Sequence, residues 1–113
     1  MSTPSASSSR PPVVSAGMVL VDHLTPPIPR LPRAGELIAV DQLHLNIGGG
    51  AANTSMALGR LGVPVSVSAR IGDDAFGRFI VESLQAGGVG TEFITVDAER
   101  ETSQTLIVNV QDE

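Results

Sequence analysis

The sequence contains no cysteine and no lysine. Without cysteine there is no disulfide framework and no thiolate metal site. Without lysine the seven basic residues are all arginine, set against twelve acids for a net charge of −5. No basic stripe is available to neutralise phosphates, which argues against nucleic acid as a partner. Imidazole comes only from His23 and His44, far apart in the chain. No apolar run approaches the ~20 residues that span a bilayer. Val13 to Val21, after a polar segment ending at Arg10, has the outline of a secretory leader but is interrupted by Ser15 and Gly17. A buried first strand accounts for the same run more simply, so the sequence reads as cytoplasmic, with no membrane partner.

What is present suits one small globular domain: 113 residues, 42% of them apolar. A chain of this size buries roughly 65% of its unfolded surface, enough for one core. Residues 1–12 are rich in Ser and Pro and read as a disordered tail. Val13 to Val21 reads as a central parallel strand with Asp22 at its carboxyl end. Pro26, Pro27, Pro29 and Pro32 make the next segment a stiff extended loop. Over Glu36 to Ile47, Leu43, Leu45 and Ile47 alternate with Gln42, His44 and Asn46, predicting strand with one solvated or partner-facing side.

Ala51 to Leu61 reads as a helix rich in small residues that can lie close on a sheet, ended by Gly62 and Pro64. Val65 to Ile71 is a second core strand. Asp73 and Asp74 read as caps of a helix over Asp74 to Ala86, with Phe76, Phe79, Ile80 and Leu84 as its apolar stripe. Gly87-Gly88 closes it, Glu92 to Val96 is a short third core strand, and Gln104 to Val110 alternates again. Strands alternating with helices predict parallel βαβ units with right-handed crossovers. The two half-polar segments fall outside that core and could form a separate antiparallel flap.

Gly48-Gly49-Gly50 stands at the start of the first helix. Three glycines let a ligand or another backbone come very close, and a helix start offers free N–H groups and a positive dipole end to oxygen-rich ligands. Asn53 adds an amide one turn further on.

Gly48-Gly49-x-Ala51-x-Asn53-x-Ser55, followed by Gly62 and Gly72, resembles the first signature of the ribokinase-like (PfkB) carbohydrate kinases. Gly17-x-x-x-Val21-Asp22, Pro-Arg-Ala-Gly-Glu at 32–36 and Ile71-Gly72-Asp73-Asp74-x-x-Gly77 agree with it, so the resemblance covers Val13 to Glu113. It implies an α/β fold, a ribokinase-like doubly wound sheet that is partial here, with a small β-sheet lid formed by strands near 36–47 and 104–110. It implies transfer of the γ-phosphoryl of ATP to a hydroxymethyl group of a sugar. It assigns substrate binding to Asp22, Gly48, Gly49 and Asn53, and implies a sugar substrate and a homodimer through the lid.

The sequence departs from this family in two respects. Gly50-Ala51 stands where ribokinases proper often have Lys-Gly, which puts ribose itself in doubt. The second signature, Asp-Thr-x-Gly-Ala-Gly-Asp with its catalytic aspartate, and the magnesium-associated Asn-x-x-Glu are absent. The expectation is that ATP and Mg2+ serve the full-length protein, while this chain is an N-terminal part that supplies no catalytic residue and no metal ligand and binds neither cofactor alone. A nucleoside (adenosine-like) kinase and a non-catalytic, truncated sugar-binding or dimerising fragment are the alternatives.

Plainer roles stand beside these assignments. The glycines could make a tight strand-to-helix turn and Asp22 could cap a loop. The Gly72-Asp73-Asp74 run reads better as helix cap than as metal site. Gly59 and Gly77 read as close-packing positions, His23 as a loop anchor, and His44 as a residue of the lid face.

Overall fold

The structure, a computed structural model, describes residues 12–111. The expected tail over residues 1–12 therefore lies, Pro12 excepted, outside the described residues. Eight elements follow in order: β1 (Val13–Ala16), β2 (Leu20–Leu24), β3 (His44–Gly48), α1 (Gly50–Arg60), β4 (Val65–Gly72), α2 (Ala75–Ala86), β5 (Gly90–Asp97) and β6 (Gln104–Ile107). They form two three-stranded sheets. The first, ordered β1-β4-β5, is parallel throughout. The second, ordered β3-β2-β6, is mixed, with β3 antiparallel and β6 parallel to the central β2.

The alternation of apolar residues along β4 sets the core. Val65, Val67 and Ile71 are buried and meet Ala51 and Ala52 of α1 and Ile80 and Leu84 of α2. Ile80 and Leu84 are fully buried, each contributing ~1.5–3 kcal/mol relative to exposure. Small residues bring the helices close, as their spacing predicts. A Cβ at Gly59 would stand 2.8 Å from the carbonyl oxygen of Gly87, and one at Gly77 would collide with the carbonyl of Gly72. Helix α1 stops at Leu61, followed by Gly62 at φ 77°, and α2 stops at Gly87, followed by Gly88 at φ 79°.

Four expectations change. The run Val13 to Val21 is two strands in two different sheets. The break falls at Gly17, whose φ of 147° turns the chain out of the first sheet. Asp22 consequently lies in the middle of β2 and not at the carboxyl end of a core strand. Within 36–47 the strand begins only at His44, so Leu37 to Val40 neither pairs with it nor continues it. The chain turns just before, at Ala34–Gly35, where both Arg30 guanidinium NH groups donate to Glu36 at 2.6 Å and the Arg33 N–H donates to it at 2.9 Å. Finally, β6 ends at Ile107, with Val110 returning only as an isolated bridge to Ile28. The half-polar segments do lie outside the core sheet, in a small second sheet, but that sheet is mixed and built on β2 instead of antiparallel throughout.

Candidate functional site

Side chains alternate across β2, which gives its neighbouring residues opposite surroundings. Val21 is fully buried and belongs to the core. His23 points the same way. Its ring meets Phe76 of α2 edge-on at 5.2 Å, and its Nε2 bonds Gln104 Oε1 at 2.9 Å. His23 is thus an anchor between the small sheet and α2. Asp22 projects from the other face, half-buried, opposite Asn46 of β3 and Thr105 of β6 in the strand register.

The Asp22 carboxylate is held in a definite attitude. Oδ1 accepts the hydroxyl proton of Thr105. Oδ2 lies over Gly48, so that a Cβ at that glycine would stand 2.6 Å away. Gly48 is therefore a glycine because the carboxylate occupies the space a side chain would need.

Gly49 is required by the backbone. Its φ is 94°, and a Cβ there would run into the carbonyl oxygen of Met18. This close approach seats the start of α1 on the segment between β1 and β2. The Ala51 N–H donates to Met18 O at 3.2 Å, and Ser15 Oγ donates to Ala51 O at 3.1 Å. No side chain caps α1, and Ala51 N–H is already engaged, so the helix start offers less to an anion than its glycines suggest. Gly50 meets no atom within 4 Å of its Cβ position.

Of the four residues expected to bind substrate, Asp22, Gly48 and Gly49 are thus brought to one place. Asn53 is exposed and opens on a groove of about 400 Å³ with Asn46, Arg60 and Ser83, a groove that Asp22 does not line. Asn46 connects the two, being the cross-strand partner of Asp22 and part of the groove wall.

Sequence reasoning missed Thr102 and Thr105. Thr102, 3% exposed, accepts from Gly72 N–H at 2.9 Å and donates its hydroxyl to Asp74 Oδ1 at 2.6 Å, while its N–H donates to Asp74 Oδ2 at 2.9 Å. Asp74 also caps α2, accepting from Gly77 N–H at 2.8 Å. The Thr102 hydroxyl, then the Thr102 and Gly77 N–H groups, hold the Asp74 carboxyl below its ordinary range. Asp73, expected as a second cap, is exposed and faces Arg78 at 3.6 Å instead. Thr102 sits within the polar run Glu99 to Gln104 and Thr105 just before the apolar Leu106 to Val108, and neither setting says what the hydroxyl bonds.

Among the described residues no three His, Cys, Asp or Glu side chains stand together to hold a metal ion, and no helix is long and apolar enough to cross a membrane.

The fold is that of the ribokinase-like α/β kinases. An Arabidopsis thaliana ribokinase solved with ribose and ATP superposes with a TM-score of 0.79 at 29% identity, over 87% of this chain and 32% of that one. The model of the pfkB family of carbohydrate kinases matches residues 13–113, and the chain belongs to that family. A mouse ribokinase is 32% identical over 99 residues, 86% of this chain and 30% of its own length. A Vibrio alginolyticus fructokinase is 42% identical over 66 residues, 58% of this chain and 21% of its own length. The chain thus spans between a fifth and a third of these relatives.

Proposed function

We propose that the full-length protein transfers the γ-phosphoryl group of ATP to a hydroxymethyl group of a sugar, and that this chain carries the sugar-binding part. The observation that supports this most is the Asp22 carboxylate, presented on the middle strand of the small sheet and seated over Gly48. A half-buried carboxylate accepts hydrogen bonds from sugar hydroxyls, each contributing ~1.5–3 kcal/mol because the acceptor is charged. Gly48 makes room for the Asp22 carboxylate, Gly49 lets the start of α1 close on Met18, and Asn53 offers a further amide from α1. The similarity to fructokinase and ribokinase supports a small sugar.

The 113-residue chain alone binds sugar without transferring phosphate, because its sequence holds no Gly-Ala-Gly-Asp segment to position the phosphoryl group. A second copy of the protein covers the apolar end of the small sheet, where Leu31, Leu43, Leu106 and Val108 line a cavity of about 280 Å³. The test is an ATP-coupled assay of the full-length protein on fructose, ribose and adenosine. Turnover of a sugar is the expected result. Turnover of adenosine alone, or of none of the three, overturns the reading.

A further inference from the structure

We propose that Thr105 is the positioning residue for Asp22, holding its carboxylate so that Oδ2 is the oxygen left for a substrate hydroxyl; this rests on the sugar-binding reading above. Thr105 donates its hydroxyl proton to Asp22 Oδ1, across a strand pair whose register places the two residues side by side. The opposite oxygen has Gly48 beside it, and the hydrogen bond found to this carboxylate among the described residues is the one at Oδ1. A free aspartate would turn about its side-chain bonds and present either oxygen. With Oδ1 tied, rotation is stopped and Oδ2 stays over the glycine, at the foot of α1.

A second set of contacts makes the hold rigid. Strand β6 begins just after Thr102, whose bonds to Asp74 and Gly72 fasten it to the start of α2 and the end of β4. The Val21 N–H then bonds Ser103 O at 3.1 Å, which fixes how far β6 runs along β2. A one-residue slip would turn Thr105 to the His23 face and leave Asp22 facing a different side chain. The α2 cap, Thr102, Thr105 and Asp22 therefore form one continuous line of hydrogen bonds and short backbone links, from the core to the carboxylate.

The test uses the full-length protein with Thr105→Val, which keeps the shape and removes the hydroxyl, and Thr105→Ser, which keeps the hydroxyl. Valine is expected to raise the KM for the sugar roughly tenfold, the loss that goes with one hydrogen bond to a charged group, with kcat and the KM for ATP nearly unchanged. Serine is expected to restore the parent KM. Crystal structures of the parent and the valine variant are expected to show the Asp22 carboxylate turned off Gly48 in the variant alone. An unchanged sugar KM with valine, equal impairment by valine and serine, or an unmoved carboxylate overturns the proposal. If the parent phosphorylates no sugar, the functional reading fails, and the paired structures still decide whether Thr105 holds Asp22.

Discussion

Asp22 and Gly48 are diagonal neighbours across the β2–β3 pair, where Gly48 stands opposite Leu20, and the Asp22 carboxylate occupies the volume a side chain at position 48 would fill. A Gly48→Ala substitution puts a methyl 2.6 Å from Oδ2 and 3.1 Å from Leu20 Cδ1, so both side chains must move. The expected cost is ~1–3 kcal/mol of stability, together with weaker sugar binding as Asp22 is displaced. Chemical denaturation and calorimetric titration of the variant check the two effects separately.

The three consecutive glycines differ in what they do, and alanine at each separates them. Gly49→Ala meets the Met18 carbonyl from a backbone at φ 94° and is expected to cost ~1–3 kcal/mol or more, since neither group can step aside. Gly50→Ala meets open space in the first turn of α1 and is expected to leave stability unchanged or raise it by up to ~1 kcal/mol, because alanine favours helix. Denaturant midpoints of the two variants should move in opposite directions or differ by at least that amount.

The Thr102–Asp74 contact predicts both a mutational and a pH effect. Thr102→Val leaves Gly72 N–H without its acceptor in a buried place and is expected to cost ~1–3 kcal/mol, whereas Thr102→Ser loses much less. The same contact holds the Asp74 carboxyl below its ordinary range, so the folded chain releases that proton more readily than the unfolded one. Its stabilisation is complete above the usual aspartate range and is lost as pH falls through the folded value. The parent melting temperature should therefore fall more steeply in acid than that of Thr102→Val.

Glu36 gives a second acid-sensitive point. The two bonds from Arg30, then the Arg33 N–H, lower its pKa from 4.5 to about 2. The turn at 30–36 is expected to stay closed above pH 4.5 and to open as pH falls from there toward about 2. Carboxyl-carbon NMR titration of Glu36 reads this directly, and Arg30→Gln should raise the midpoint toward the ordinary glutamate range, the Arg33 N–H still holding it below.

Much of the fold is legible where local pattern and caps agree. The alternation of Val65 and Val67 and the stripe at Phe76, Phe79, Ile80 and Leu84 locate β4 and α2, and Asp74 marks the start of α2. The family is legible because the glycine spacing is long and specific. The split of Val13 to Val21 is not, because apolar residues resume directly after Gly17 and a single glycine does not by itself mark a change of sheet. The bonds Thr105–Asp22 and Thr102–Asp74 join residues 83 and 28 positions apart, and no single sequence records such pairings. For the same reason Asp22 could be singled out while the residue that orients it could not.

The most direct measurement is calorimetric titration of the full-length protein with fructose and ribose, comparing the parent with Asp22→Ala. The account predicts saturable binding of a sugar by the parent and a loss of roughly tenfold or more in the variant, the effect of removing a charged hydrogen-bond acceptor. Equal sugar affinity in the two proteins, with the variant folded, would contradict it.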